Sequence, residues 1–474
     1  MLTRLEVNGF KNLVDFTLDF GPFTCLFGPN GAGKSNIIDA IRFLSLLTQR
    51  TINDAALGVR GAGDGYGKIS ALFHADGGES RDRMSFAVEM LVDPEVSDDF
   101  GREAVSSSTF LRYEVAFRLE RGGHDAERPG GLTLEHEELR PITEGRASHH
   151  LRFPHSKAKF RDAVVYNRRH ARTGYVSTIE DAESGQPLVV VHQDGGVPGW
   201  SRPAPAQNAV RTIVGTENTV ATPTILATRR EMQGWLALQL DPAAIRRPDR
   251  FTQAPEIGEG GDHIPATLQQ FAGSGESGFT EILAAVSEKL KSLAPVRDLR
   301  LVRDDERQLL SLEVEDMAGL TMGAGSLSDS TLRSLALAAL ASVPGRGRLV
   351  CVDDPDHGIY PTNLGALNAL LHGMAVDPDE AVSGDNPLGQ VIMTSNSPML
   401  ILQQDVADLV RVENTGSIDG ECGPGVSAVR WEPHISTWRC TEDHVGFDLE
   451  PMAGFGTQPQ GGQIAFPSEI WETA

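Results

Sequence analysis

The chain has 474 residues, of which 40% are hydrophobic and 23% charged, a composition typical of a globular protein with two or three lobes. Its 65 acidic and 42 basic residues give a formal net charge of −23, which argues against a broad nucleic-acid-binding surface. Four cysteines in so long a chain indicate no disulfide framework, and no apolar run approaches the ~20 residues of a membrane span. We therefore expect a cytoplasmic, reduced protein without a membrane partner.

The first informative segment is a phosphate loop. Residues 28–35 read GPNGAGKS, a complete G-x-x-x-x-G-K-[ST] motif, between a strand-like run at 23–27 and a helical pattern at 35–47. The glycines let successive backbone N–H groups point at a phosphate, and the helix N-terminus adds partial positive charge. Lys34 is expected to contact the β- and γ-phosphates, and the Ser35 hydroxyl to bind Mg²⁺. The nucleotide-binding residues predicted in this segment are Asn30, Gly31, Ala32, Gly33, Lys34, Ser35 and Asn36.

The middle of the chain is predominantly β in pattern. Alternating residues predict an antiparallel meander of about four strands, at 68–74, 84–92, 111–120 and 132–139. Residues 141–225 are less regular and contain short β-like runs at 163–166 and 188–191. Beyond them we predict helices and one hairpin, at 228–240, 264–271 and 279–293 for the helices and at 299–302 and 309–314 for the hairpin.

A second group of polar residues lies in the C-terminal half. Ser328 or Asp329 can cap a helix whose apolar face begins at Leu332. The apolar run 349–352 indicates a strand buried in a parallel sheet, and it ends in Asp353 and Asp354. A second apolar strand, 390–394, leads directly to Ser-Asn-Ser-Pro. Acidic residues at the end of such a strand suit Mg²⁺ and an attacking water beside a phosphate loop.

These motifs together resemble the ABC-class ATPases of the SMC/RecF type, and in particular the stand-alone predicted ATPases grouped with OLD-like proteins. The matching segments occur in the family's order, at 5–13, 28–41, 240–248, 327–333, 353–361 and 394–398. The resemblance implies an α/β ABC-ATPase head, in which a mixed sheet with a phosphate-loop core accompanies an antiparallel β subdomain. It covers the two halves of that head, at 1–140 and 226–412; a β-rich insert of unassigned role at 141–225 and an extension at 413–474 lie outside it.

The resemblance also implies roles for individual residues. ATP with Mg²⁺ is held between two heads of a homodimer, by the phosphate loop of one protomer and the signature helix of the other. Lys34 takes part in catalysis, and Lys11, in the basic turn after the first strand, contacts the nucleotide. Ser328 and Ser330 of the signature contact the second protomer's nucleotide. Of the remaining site residues, Asp353 binds Mg²⁺ together with Ser35, Asp354 orients or activates water, and Asn396 occupies the switch position.

Three positions depart from the family pattern, and all three concern hydrolysis. Asp354 stands where Glu is usual, Asn396 where His is usual, and Ser330 where Gly is usual. Because a carboxylate displaced by about 1 Å can cost ~100-fold in rate, and because Asn carries neither proton nor charge, we expect slow hydrolysis.

The resulting hypothesis is an ATP-gated sensor or regulator that acts on a separate, nuclease-like effector in antiphage defence. Two alternatives stay open: a RecF-like DNA-repair ATPase that binds DNA through Arg168, Arg169 and Arg229, and a structural pseudo-ATPase. Arg168, Arg169 and Arg172 cluster around His170. A second basic stretch consists of Arg229, Arg230, Arg246, Arg247 and Arg250, although solvated faces or internal ion pairs are the commoner explanation of such runs. Two histidine-containing groups, 149–155 and 422–444, lack the spacing of a zinc site.

Overall fold

The computed structural model describes residues 1–62, 68–76, 79–120, 131–168, 174–194, 201–272, 276–343, 347–415, 428–441 and 446–448. The strands are β1 (Leu2–Asn8), β2 (Phe16–Asp19), β3 (Phe23–Phe27), β4 (Ala75–Asp76), β5 (Glu79–Ser80), β6 (Arg83–Leu91), β7 (Glu95–Ser97), β8 (Glu103–Val105), β9 (Phe110–Leu119), β10 (Leu132–Pro141), β11 (Val176–Glu180), β12 (Pro187–His192), β13 (Ser201–Pro205), β14 (Leu236–Leu238), β15 (Asp249–Arg250), β16 (Val296–Asp304), β17 (Leu309–Asp316), β18 (Thr321–Gly323), β19 (Leu349–Val352), β20 (Gln390–Ser395), β21 (Leu409–Thr415) and β22 (Ala428–Pro433). The α-helices are α1 (Lys34–Leu47), α2 (Ile52–Leu57), α3 (Glu144–His150), α4 (Asp162–Val164), α5 (Ile213–Thr216), α6 (Pro223–Gln233), α7 (Pro242–Ile245), α8 (Ile264–Ala272), α9 (Glu276–Leu293), α10 (Asp329–Ser342), α11 (Leu364–His372) and α12 (Pro398–Ile401).

The chain forms two compact units. The first contains residues 1–235, 377–386 and 406–474, and the second contains residues 236–376 and 387–405. The predicted insert at 141–225 therefore belongs to the same unit as the N-terminal 140 residues.

The first unit contains an eight-stranded antiparallel sheet in the order β13-β12-β11-β10-β9-β6-β1-β2. Because side chains alternate along each strand, one face is apolar and receives α1. Phe43 of α1 contacts Phe86 of β6 and Phe117 of β9, with ring centroids 5.3 and 5.7 Å apart. The helix that follows the phosphate loop is thereby anchored to the sheet.

The sheet confirms part of the predicted meander. Three of its predicted strands form as β6, β9 and β10, and the insert extends the same sheet with β11, β12 and β13. The prediction for 68–74 is wrong, since residues Ile69–Leu72 form a 3₁₀ helix whose last carbonyl accepts a hydrogen bond from the Lys11 N–H. The prediction of a β-like run at 163–166 is also wrong, because the first residues of that run belong to the short helix α4.

A second group of strands in the first unit flanks the phosphate loop. β3 pairs in parallel with β21, which pairs antiparallel with β22. The buried Arg439 ties the following segment to these strands, since it donates to the Asp19 carbonyl oxygen at 3.0 Å and to Thr24 Oγ1 at 2.9 Å. Burial lowers the pKa of Arg439 to about 10.

The second unit combines three parallel strands with an antiparallel sheet and helices. β14, β19 and β20 are parallel neighbours in that order, and β16 and β17 form the predicted hairpin. α9 packs against α8, α10, α11 and β16. The predicted helix at 228–240 is partly wrong. α6 ends at Gln233, and the three residues of β14 pair with residues 350–352 of β19 instead.

The predicted α/β class is confirmed by parallel strands around the phosphate loop and a separate antiparallel sheet. Among the helices of the described residues, none combines the length and apolar character needed to cross a bilayer.

Glu137 is a buried carboxylate of the first unit. It lies on β10 with no exposed surface, and its Oε2 accepts from the Ile213 N–H at 2.7 Å. Its Oε1 accepts from the Val214 N–H at 3.0 Å and from the Tyr113 hydroxyl at 3.1 Å. Burial outweighs these bonds and raises the pKa of Glu137 to about 7. Glu137 thus joins the end of the insert to the sheet.

The pKa of Glu137 predicts a pH-dependent stability. The folded state binds this proton more tightly than the unfolded chain, so the stabilisation present below pH ~4.5 is lost as pH rises through ~7. The loss is on the order of 3 kcal/mol. Denaturant unfolding of wild type and Glu137→Gln at pH 5 and pH 8 measures this loss. Relative to the variant, the wild type should have a higher free energy of unfolding at pH 5 than at pH 8. Glu138→Gln, on the opposite, solvent-reaching face of β10, is the control. The prediction would be contradicted if the difference in free energy of unfolding between wild type and Glu137→Gln were the same at both pH values.

Candidate functional site

The phosphate loop is shaped by glycines that no other residue can replace. Gly28 has φ of +148° and Gly33 has φ of +106°, where L side chains are strained. A Cβ at Gly28 would overlap the carbonyl oxygen of Val412, and one at Gly33 would overlap the side chains of Val429 and Asn12. Residues of β21 and β22 therefore lie against the loop and leave no room for a side chain at these two positions.

The helix N-terminus and the lysine lie where the motif predicts. α1 begins at Lys34 with left-handed Gly33 as its N-cap, and its first turn contains no acidic residue. The buried Lys34 ammonium donates to the carbonyl oxygens of Gly28 at 2.7 Å and Pro29 at 3.0 Å. Asn36 Nδ2 donates to Asn12 Oδ1 at 2.7 Å, which links α1 to the turn after β1. An anion in the loop would thus face a positive helix end and an ammonium group.

A buried acid organises two cations beside α1. Asp39 is 1% exposed, and its Oδ2 accepts from Lys11 Nζ at 2.6 Å and from the Arg60 guanidinium at 2.9 Å. Burial is the main cause that lowers the pKa of Lys11, and Asp39 opposes that shift. Sequence reasoning missed Asp39 and Arg60. The available signal was one acid within the apolar run of α1, four residues after Ser35.

In the second unit, the signature segment begins α10. Ser328 is the N-cap, and its Oγ accepts from the Thr331 N–H at 3.2 Å and lies 2.9 Å from Ser330 Oγ. The Arg246 guanidinium donates to the Leu327 carbonyl oxygen at 3.1 Å and to Asp329 Oδ1 at 2.5 Å. Arg246 thereby holds the backbone before α10 and neutralises the acid in its first turn.

The segment after the two acids reaches the same signature. Gly358 has φ of +84°, and a Cβ there would lie 3.1 Å from the Ser330 Cβ. The second unit therefore brings Ser330 next to the loop that follows Asp353 and Asp354.

The two acids are joined by a threonine that sequence reasoning did not select. Thr394 of β20 is fully buried, and its hydroxyl donates to Asp353 Oδ1 at 2.5 Å and accepts from the Asp354 N–H at 3.1 Å. Asp354 has φ of +46°, a region in which Asp and Asn are the most frequent residues after Gly. This backbone favours Asp at position 354.

The switch segment follows directly on β20. Ser395 Oγ accepts from the Ser397 N–H at 3.0 Å and donates to Asp356 Oδ1 at 3.4 Å. Asn396 is half-buried between them. The switch segment and the acid-bearing loop are thus hydrogen-bonded within the second unit.

The predicted site residues divide between the units. The first unit contains Lys11 and the loop residues from Asn30 to Asn36; the second contains Ser328, Ser330, Asp353, Asp354 and Asn396. The oxygen donors Ser35 and Asp353 are of the hard type that Mg²⁺ prefers. The roles assigned to all these residues stay predictions.

The weaker sequence signals find ordinary explanations where the structure describes them. Arg230 pairs with Asp99, Arg246 pairs with Asp329, and Arg168 stacks on Tyr166. His150 bonds to Glu89 at 2.9 Å. Within the described ranges, the histidine and acid groups that converge are Glu114, His136 and Glu138, which Arg112 and Arg140 already neutralise. Some predicted residues lie outside the described residues, namely Arg169, His170, Arg172, Cys422 and His444.

The N-terminal segment is similar to a known protein family. A profile described as the RecF/RecN/SMC N terminal domain matches residues 1–58. The OLD nuclease of Thermus scotoductus is 54% identical over 41 residues, 9% of this chain and 8% of that protein. The DNA replication and repair protein RecF of Phocaeicola vulgatus is 32% identical over 80 residues, 17% of this chain and 21% of that protein. The matches therefore cover a small part of each curated relative.

Among solved structures, the chain is similar to an Smc head bound to the C-winged helix domain of ScpA. That similarity has a TM-score of 0.46 at 16% identity and covers 91% of this chain and 98% of the other. The sequence matches support an SMC/RecF-type ATP-binding segment at the N-terminus.

Asp39 is expected to be essential for the stability of the Lys11 and Arg60 arrangement. Asp39→Asn keeps the side-chain shape but leaves two cations without their buried counter-charge. We predict a loss of about 3 kcal/mol in the free energy of unfolding, measured by denaturant titration. The control is Asp54→Asn, an exposed acid on α2, with an expected change below about 0.5 kcal/mol. Equal effects of the two variants would contradict the prediction.

Proposed function

We propose that this chain binds ATP with Mg²⁺ through its phosphate loop and hydrolyses it slowly. The observation that supports this most directly is the loop of Gly28 to Ser35, whose left-handed glycines, helix N-terminus and buried Lys34 form one anion-binding arrangement. The match of residues 1–58 to the RecF/RecN/SMC N terminal domain agrees with it. The left-handed Asp354, together with Asn396 and Ser330, supports slow turnover rather than a fast motor.

We further propose that ATP joins two copies of the chain. The signature helix α10 has an N-terminus with two serine hydroxyls, Ser328 and Ser330, and its nearest acid is neutralised by Arg246. Such an end can receive the γ-phosphate of a second protomer's nucleotide. ATP then stabilises the dimer, and hydrolysis weakens it.

The cellular role follows from the resemblance alone. A head that dimerises on ATP and turns over slowly is suited to gate a separately encoded effector, and OLD-like proteins suggest a nuclease-like effector in antiphage defence. A RecF-like role on DNA receives less support, because Arg168 stacks on Tyr166 and Arg229 donates to the Glu217 carbonyl oxygen at 3.3 Å.

Lys34→Ala tests the nucleotide site. Because a hydrogen bond to a charged group contributes about 1.5–3 kcal/mol, we expect ATP affinity to fall by roughly 10–100-fold. Titration of a fluorescent ATP analogue with Mg²⁺ measures it, with Lys157→Ala, an exposed lysine of the same unit, as the matched control. Wild-type protein that takes up no adenine nucleotide would overturn the proposal.

A pair of substitutions at Ser328 tests the trans contact. Asp and Asn both cap helices as well as Ser does, so α10 should stay intact in Ser328→Asp and Ser328→Asn. The added carboxylate repels a γ-phosphate, whereas the amide does not. Light scattering of these variants in an Asp354→Asn background with ATP should show dimers for Ser328→Asn and monomers for Ser328→Asp. Dimers of equal stability in both would show that α10 does not face the nucleotide.

A further inference from the structure

Thr394 connects the two parts of the second unit that handle the predicted hydrolysis. It lies on β20, two residues before Asn396, and its side chain points to the two acids after β19. β19 and β20 are parallel neighbours whose paired residues run from Leu349 and Gln390 to Val352 and Met393. The residue after Met393 is therefore placed next to the residue after Val352, and that neighbour is Asp353.

The Thr394 hydroxyl is the donor in one hydrogen bond and the acceptor in another. It donates its proton to Asp353 Oδ1 at 2.5 Å, and it accepts the Asp354 N–H at 3.1 Å. Because the single hydroxyl proton goes to Asp353, the lone pairs remain for Asp354. One side chain thus orients the carboxylate of the first acid and the backbone of the second.

The second bond matters because the backbone of Asp354 is unusual. A non-glycine residue at φ of +46° persists only where its surroundings hold it. Thr394 supplies a bond from a fully buried position in a strand, which is a rigid support. A loosened Asp354 would move its carboxylate away from an attacking water, and a shift of about 1 Å is costly in rate.

We propose that Thr394 is the positioning residue of the acid pair, which sets Asp353 for Mg²⁺ and Asp354 for water. This role rests on the proposed ATPase function. Its hydroxyl acts through the two acids to which it is hydrogen-bonded. The segment 394–396 consequently carries both the support of the acids and the switch residue Asn396, so displacement of β20 would change both together.

The test compares Thr394→Val, which keeps the shape without the hydroxyl, with Thr394→Ser, which restores it. The matched control is Thr267→Val, a buried threonine of α8 in the same unit that donates to the carbonyl oxygen of His263, the residue before α8. Loss of a residue that orients a metal ligand typically costs about 10–100-fold in metal affinity or activity. We expect Thr394→Val to weaken Mn²⁺ binding by that factor, measured by electron paramagnetic resonance with a non-hydrolysable ATP analogue. Turnover should fall similarly at unchanged analogue affinity in saturating metal. Thr394→Ser should lie within about threefold of wild type.

Hydrogen exchange at the Asp354 amide, measured without nucleotide, separates this proposal from the proposed function. Exchange should accelerate in Thr394→Val and not in Thr267→Val or Thr394→Ser. Unchanged exchange, or metal binding and turnover equal to those of Thr267→Val, overturns the role of Thr394 even if wild type hydrolyses ATP. Accelerated exchange in a chain whose wild type binds no nucleotide overturns the proposed function and, with it, the role in hydrolysis.

Discussion

The steric constraint at Gly28 and Gly33 is the condition on which the candidate site depends. Both residues have backbone angles and neighbours that exclude a side chain, and the neighbours come from β21 and β22, nearly 400 residues further along the chain. The phosphate loop is thus constrained on both sides, by β3, which precedes it, and by the antiparallel strands β21 and β22. The N–H groups and the helix end can then converge on one anion only because the backbone is forced into this curve.

Charge placement supports the same arrangement. The chain has a net charge of −23, so the proposed binding of a polyanion depends on cations that are concentrated locally. Lys34 is satisfied by loop carbonyls, and Lys11 and Arg60 share the buried Asp39. These contacts hold three cations beside the loop and α1. Elsewhere among the described residues, basic side chains form ion pairs within the chain, as Arg112 does with Glu6.

In the second unit, the main constraint is that two adjacent carboxylates have to be held in fixed orientations. Two acids in sequence repel each other, and one of them adopts a left-handed backbone. A buried hydroxyl on the neighbouring parallel strand provides a donor to one and an acceptor to the other. The choice of Asp at position 354 therefore has a local reason in this backbone.

The amino-acid sequence alone determined what depends on local backbone and short periodicities. The phosphate loop, the capped helix α10, the hairpin β16–β17 and the parallel strands after Leu349 and Gln390 were predictable, because each is specified by consecutive residues. The tertiary structure decided the strand at 236–238, the 3₁₀ helix at 69–72 and the partners of Asp39, Glu137 and Thr394. These depend on which segments become neighbours across long chain separations. A short apolar run pairs as a strand, and a buried acid persists as a charge, only when a distant partner supplies the hydrogen bonds that burial removes.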